Sequence, residues 1–206
     1  MSPRDSAPTI AAILRAADEL LEAGGPEAVT LRAVGETAGV SRMTPYRHFA
    51  DKAALLHALA ERTLLAMARH IRAAAAEEDE PGAKLRAGSG AYLDHALENP
   101  HHYQLIFGDA PLAQPGPELD AAADDAMRAV EEIVGQAQTS GVLRDAPTRE
   151  LATVLWVLLH GLAALQITGH LHEPRTVDGS AHLGTLLDLA LAQLAPIDHE
   201  SRRAKI

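Results

Sequence analysis

Residues 30–52 read TLRAVGETAGVSRMTPYRHFADK. Leu31, Val34 and Ala38 stand at i, i+3 and i+7, so a short helix there has one apolar stripe to bury, and Thr30 is placed to cap it. Gly39 follows the last stripe residue, where a chain leaving a helix often takes a positive φ that only glycine adopts without a Cβ penalty. Val40 then offers an apolar plug and Ser41 a second N-cap. Residues 42–48 form a second short helix. Two helices meeting steeply through so short a turn make a helix-turn-helix.

The outward face of the second helix carries Arg42, Met43, Thr44, Tyr46 and Arg47. Arginine can take the paired acceptors of a guanine edge, threonine and methionine can meet a thymine methyl, and tyrosine can donate to a phosphate. Such groups near a helix N-terminus are what base reading in the major groove needs. Pro45 is expected at about the fourth helical position, where its missing N–H costs little.

With a preceding helix at 9–23 and a long one following from residue 51, this stretch resembles the DNA-binding domain of the tetracycline-repressor (TetR) family of bacterial transcription regulators. The matching elements are Val34, Gly35 and Glu36, then AGVS at 38–41, Thr44, YRHF at 46–49 and Lys52. The resemblance implies that Thr30, Tyr46, His48 and Lys52 lie near phosphates, and that Arg32, Arg42, Met43, Thr44 and Arg47 reach base edges. Gly35 stands where Ala is usual in the family, and Pro45 where Leu or Ile is usual. Further on, YQLIFG at 103–108 and Trp156, His160 and Gly161 in LWVLLHG resemble a TetR branch whose ligand-binding domain carries a spaced Trp, His, Gly signature.

The rest of the chain is consistent with this reading. Its 206 residues are enough for one large or two small domains, and abundant Ala, Leu, Glu and Arg without alternating strand patterns predict an all-α fold. Helices are expected at 9–23, 30–38, 42–48, 51–76, 83–98, 100–107, 117–139, 148–170 and 180–195. Gly24-Gly25-Pro26 stops the first. The long fourth helix would join an N-terminal three-helix domain (1–52) to a helical ligand-binding and dimerisation domain (53–198), with a frayed tail at 199–206. Loops are expected at 77–82, 109–117 and 173–179.

The formal charge of −10 argues mildly against nucleic-acid binding, but residues 1–52 hold six basic side chains against seven acidic ones, whereas the remainder holds twelve against twenty-one. Arg32, Arg42, Arg47 and Lys52 cluster where phosphates would be neutralised. The chain has no cysteine, so disulfides and thiolate metal sites are excluded. Its N-terminus lacks a secretion signal, predicting a cytoplasmic protein. The apolar segment 151–167 falls short of the roughly 20 residues needed to span a bilayer, so no membrane partner is expected.

The last two helices are apolar around much of their circumference and must be covered on more than one side. The resemblance implies that they pair with their copies in a homodimer, which would match palindromic double-stranded operator DNA. It further implies an unknown small-molecule effector that releases the operator. A largely apolar pocket is expected from Leu64, Met67, Leu93, Leu97, Tyr103, Phe107, Met127, Trp156 and His160. No cofactor is expected. The eleven histidines include His101-His102 and His170-x-His172, but no His-Glu-x-x-His or carboxylate set completes a metal site. Gly88-Ser89-Gly90 lacks a nucleophile turn and its strand. An enzyme is therefore not expected, and the competing reading is a helical dimeric interaction protein without specific DNA binding.

Overall fold

The computed structural model describes residues 3–108, 112, 116–171 and 183–196, with side chains from Ala7 onward. Among them are nine helices and no strand: α1 (Pro3–Ala28), α2 (Leu31–Thr37), α3 (Thr44–His48), α4 (Lys52–Ala76), α5 (Pro81–Glu98), α6 (Pro100–Phe107), α7 (Pro117–Thr139), α8 (Thr148–Ile167) and α9 (Leu183–Ala192). The expected loop at 173–179, most of that at 109–117, residues 180–182 of the last expected helix and the tail from residue 199 lie outside the described residues.

Element ends differ from the sequence reading in ways that follow from local chemistry. α1 begins at Pro3 and carries Pro8 inside it; its stop is a break at Gly24 and Gly25 (φ 68°) followed by a short helical resumption to Ala28. α5 begins at Pro81, a residue suited to a first helical turn. α8 ends at Ile167 instead of residue 170, because Gly169 turns left-handed (φ 71°) and the Gly169 and His170 N–H groups donate back to Gln166 and Leu165. α9 stops at Ala192 and continues to Ala195 only as tight turns. At 20 residues, α8 is also long and apolar enough by composition to cross a membrane, whereas the sequence expectation counts only the apolar segment 151–167 of the helix.

The chain clusters into two compact units. The first holds residues 1–66 and 98–124, and the second residues 67–97 and 125–206. α4 and α7 each contribute to both units.

In the first unit, α1 buries Ile13, Ala16, Ala17 and Leu21 and packs on α6 and α2, while α2 packs on α3. Val29, Val34, Leu55 and Leu59, all fully buried, complete the apolar centre. Asp18 of α1 is a polar hub: Arg62 of α4 reaches it at 3.1 Å, and His102 of α6 approaches it through Nε2 at 3.4 Å. Next to it the His101 Nδ1–H donates to the Leu21 carbonyl at 2.8 Å.

In the second unit, α5 lies so close to its neighbours that a Cβ added to Gly88 would come 3.0 Å from Ile133 Cδ1 and 3.4 Å from Ile71 Cγ2. Arg72 of α4 bonds Asp125 and Glu132 on α7. Its hydrogen bond to Arg72 is the main cause that holds the Asp125 carboxyl below the usual carboxylate range. Arg86 of α5 pairs with Asp188 of α9 at 2.6 Å. α8 buries Leu151, Ala152, Leu155, Leu159 and Ala163 on one side only.

Candidate DNA-binding face

The turn between α2 and α3 is built as its residues dictate. Thr30 has extended backbone and its Oγ1 accepts from the Ala33 N–H at 3.1 Å, which caps α2. At the other end Gly39 takes φ 65°, the Val40 N–H donates to the Gly35 carbonyl at 3.1 Å, and the Gly39 N–H donates to Glu36 at 3.2 Å. These paired bonds are the Schellman arrangement, which satisfies two carbonyls left over at a helix end.

The recognition helix is shorter than the sequence reading supposed. α3 starts at Thr44, not Arg42; Met43 occupies the cap position, without a side-chain cap bond, instead of Ser41. The cause is Pro45. In a helix begun at Arg42, the proline ring would press on the Ser41 carbonyl. That carbonyl instead accepts the Thr44 N–H at 2.8 Å, and the Ser41 and Thr44 hydroxyls bond each other at 2.7 Å. Pro45 therefore lies in the first turn, where a missing N–H is harmless.

Four of the five side chains expected on the outward face are exposed. Met43 is 58% and Tyr46 47% exposed. Arg42 and Arg47 are exposed and form no ion pair among the described residues, whereas Thr44 and His48 are half-buried. Two other expected contacts are already engaged. Arg32 pairs with Glu36 at 3.0 Å on its own helix, a contact whose hydrogen bond is the main cause raising the guanidinium pKa. Lys52 lies 3.6 Å from Glu27. To meet DNA as expected, Arg32 would have to exchange its carboxylate for a base edge and Lys52 its carboxylate for a phosphate, at small cost for exposed pairs. The Arg32 to Glu36 spacing of four is a signal the sequence carries; the Glu27 to Lys52 contact has no sequence signal.

The residues expected to line a ligand pocket divide between the units: Leu64, Tyr103 and Phe107 belong to the first, and Met67, Leu93, Leu97, Met127, Trp156 and His160 to the second. Leu64, Met67, Leu93 and Tyr103 are buried; the others are partly exposed. The Tyr103 and Phe107 rings meet at a tilt of 52° with centroids 4.9 Å apart, and those of Trp156 and His160 at 40° and 5.7 Å. Neither described cavity includes any of the nine. One, of about 260 Å³, is bounded by Arg72, Ala75, Lys84, Glu132, Ile133 and Gln136 in the second unit. The other, of about 180 Å³, lies between Glu22 of α1 and the 98–102 segment in the first.

Among the described residues no group of three His, Cys, Asp or Glu side chains could hold a metal. Ser89 lies inside α5, fully buried.

Residues 13–59 match the family model for bacterial regulatory proteins of the tetR family, and residues 85–187 match that for the tetracyclin repressor-like C-terminal domain. None of the curated proteins matches. Among solved structures, a protein of unknown function from Rhodococcus sp. RHA1 is 30% identical, with a TM-score of 0.76 over 89% of this chain and 94% of that one. A TetR family transcription regulator from Marinobacter aquaeolei VT8 is 21% identical, with a TM-score of 0.66 over 96% of this chain and 100% of that one. The fatty acid degradation regulator FadR from Bacillus halodurans is 15% identical, with a TM-score of 0.69 over 91% of this chain and 94% of that one. The chain belongs to the TetR family and is a DNA-binding transcriptional regulator.

Proposed function

We propose that the protein is a homodimeric repressor that binds a palindromic operator and leaves it when a small, largely apolar molecule enters its C-terminal part. The observation that carries this reading is that Arg42, just before α3, and Arg47, on it, are exposed and form no ion pair among the described residues, with exposed Met43 and Tyr46 beside them. These supply guanine and thymine readers on one short segment. Residues 1–52 form the DNA-binding domain of this reading, residues 53–198 the ligand-binding and dimerisation domain, and the site of action is the cytoplasm.

The dimer contact of this reading is the uncovered side of α8 with α9. Val154, Val157 and Leu165 are 43%, 54% and 44% exposed, and Leu189 is 57% exposed. Large apolar side chains grouped on one helix face are typical of a surface that a partner covers. Two-fold pairing would set two copies of α3 on half-sites about 34 to 36 Å apart.

Release works by linkage: an effector that fits better when the two recognition helices are wrongly spaced lowers operator affinity by its differential affinity, commonly about 1 to 3 kcal/mol. The Trp156, His160 and Gly161 set fits the Trp, His, Gly branch of the family, and the neighbouring Trp156 and His160 rings are the polar-edged part of the apolar set expected to hold the effector. Burial pushes the His160 imidazole below its ordinary value. The unfolded chain then takes up the proton first as pH falls past roughly 6.5, so the stability held by neutral His160 is complete above that pH and is lost as pH falls through the native value. The drop in thermal midpoint from about pH 7.5 to about pH 5.5 is expected to be smaller in His160→Gln than in the parent. An equal drop would show that His160 carries none of it.

Selection of duplexes from a random pool by the purified protein at near-physiological salt, followed by sequencing, tests the whole reading. An enriched inverted repeat establishes a dimeric, sequence-specific regulator. No enrichment by a folded dimer favours a helical interaction protein instead.

A further inference from the structure

Gly35 of α2 and Pro45 of α3 are both buried, and they face each other. A Cβ built on Gly35 would stand 3.3 Å from Pro45 Cγ, 3.5 Å from Pro45 Cδ and 3.9 Å from the Arg42 Cα. Gly35 lies inside a regular helix, where any residue can take its backbone conformation. What glycine supplies here is room rather than an unusual φ, at the cost of helix propensity.

The occupant of that room is rigid. A leucine facing a new methyl could change rotamer, but the proline ring is bonded to its own backbone nitrogen and can only change pucker, which moves Cγ far less than a rotamer change. Crowding at Pro45 that puckering does not absorb is relieved by moving α3. That helix has five residues and is fastened at both ends, by the Thr44 N–H on the Ser41 carbonyl and by the Phe49 N–H on the Pro45 carbonyl. A displacement of Pro45 carries Thr44, Tyr46 and Arg47 with it. The Gly35 carbonyl also accepts the Val40 N–H, so the same residue anchors the turn that leads into α3.

We propose that Gly35 and Pro45 are a matched positioning pair that sets how closely α3 seats on α2, and through it the reach of Thr44, Tyr46 and Arg47 to DNA. A direct base contact has a narrow range of distance and angle, so a shift of a few tenths of an ångström weakens it while leaving the fold intact. The pair touches no DNA itself.

This inference rests on the DNA-binding reading, and the test separates the two. The duplex selected by the parent protein serves as probe for Gly35→Ala, Pro45→Ala and the double variant, with thermal midpoints measured alongside. Gly35→Ala is expected to lose about tenfold in affinity, the size of one weakened base contact, while alanine's better helix propensity offsets strain in the midpoint. Removing the ring restores the room, so adding Gly35→Ala to Pro45→Ala should cost nothing further. Equal losses from Gly35→Ala on both backgrounds, or no loss on either, would overturn the pairing. If Gly35→Ala alone does not fold, recovery of folding and affinity in the double variant upholds the pair, and failure there overturns it. If the parent selects no duplex, the DNA-binding reading fails. The midpoints then decide the pair: alanine at 35 must raise the midpoint more on the Pro45→Ala background, and equal changes would sink it.

Discussion

Val157→Asp is expected to yield a folded monomer that no longer holds the operator as a dimer. α8 turns Leu151, Leu155 and Leu159 into its own unit and leaves Val154, Val157 and Leu165 outward, with Gly161 on the same stripe and nothing within 4 Å of where its Cβ would be. If a second copy covers this stripe, a carboxylate at position 157 is buried without a partner. An unpaired charge taken out of water costs several kcal/mol even after relaxation, so the dimer dissociation constant should rise by about 100-fold or more. The monomer itself should be little affected, since Val157 is 54% exposed in the single chain. Sedimentation at micromolar concentration reads the change directly. A variant that remains dimeric there would remove the α8 face from the interface.

Arg47→Ala should weaken binding to the selected operator by about 1 to 3 kcal/mol and relax the preference at one base position in each half-site, and Arg42→Ala should behave alike. Both guanidiniums are exposed and unpaired among the described residues, so a base contact would cost neither an ion pair. Lys52→Ala should instead weaken all sequences alike and lower the salt slope by about one. Arg32 is the instructive contrast: its pairing with Glu36 means that its net contribution is what a DNA contact adds over an existing surface pair. Affinities for the operator and for its single-base variants, measured at several salt concentrations, separate these behaviours. A loss that is equal for every sequence would make Arg47 and Arg42 phosphate contacts.

Most of the helix-turn-helix is legible in the residues because its signals are local. A threonine that caps, a glycine where φ turns positive and an apolar period of three and four each act within one turn of chain, and the structure realises them at Thr30, Gly39 and the Leu31, Val34 stripe. The start of α3 was misread for an equally local reason. Ser41 is a good cap by type, but a proline four residues later forbids the helix that such a cap would begin. The same limit applies to the end of α8, where Gly169 outweighs the apolar run before it.

By itself the sequence determined the all-α class, the helix-turn-helix and the grouping of Arg42, Met43, Tyr46 and Arg47 on one short segment, since each follows from neighbours along the chain. The tertiary structure alone decided which side of α8 stays uncovered, that Asp18 gathers Arg62 and His102, that Lys52 meets Glu27, and that Gly35 makes room for Pro45. Those outcomes depend on distances between residues that no spacing rule relates, and only the packing of one helix on another sets them.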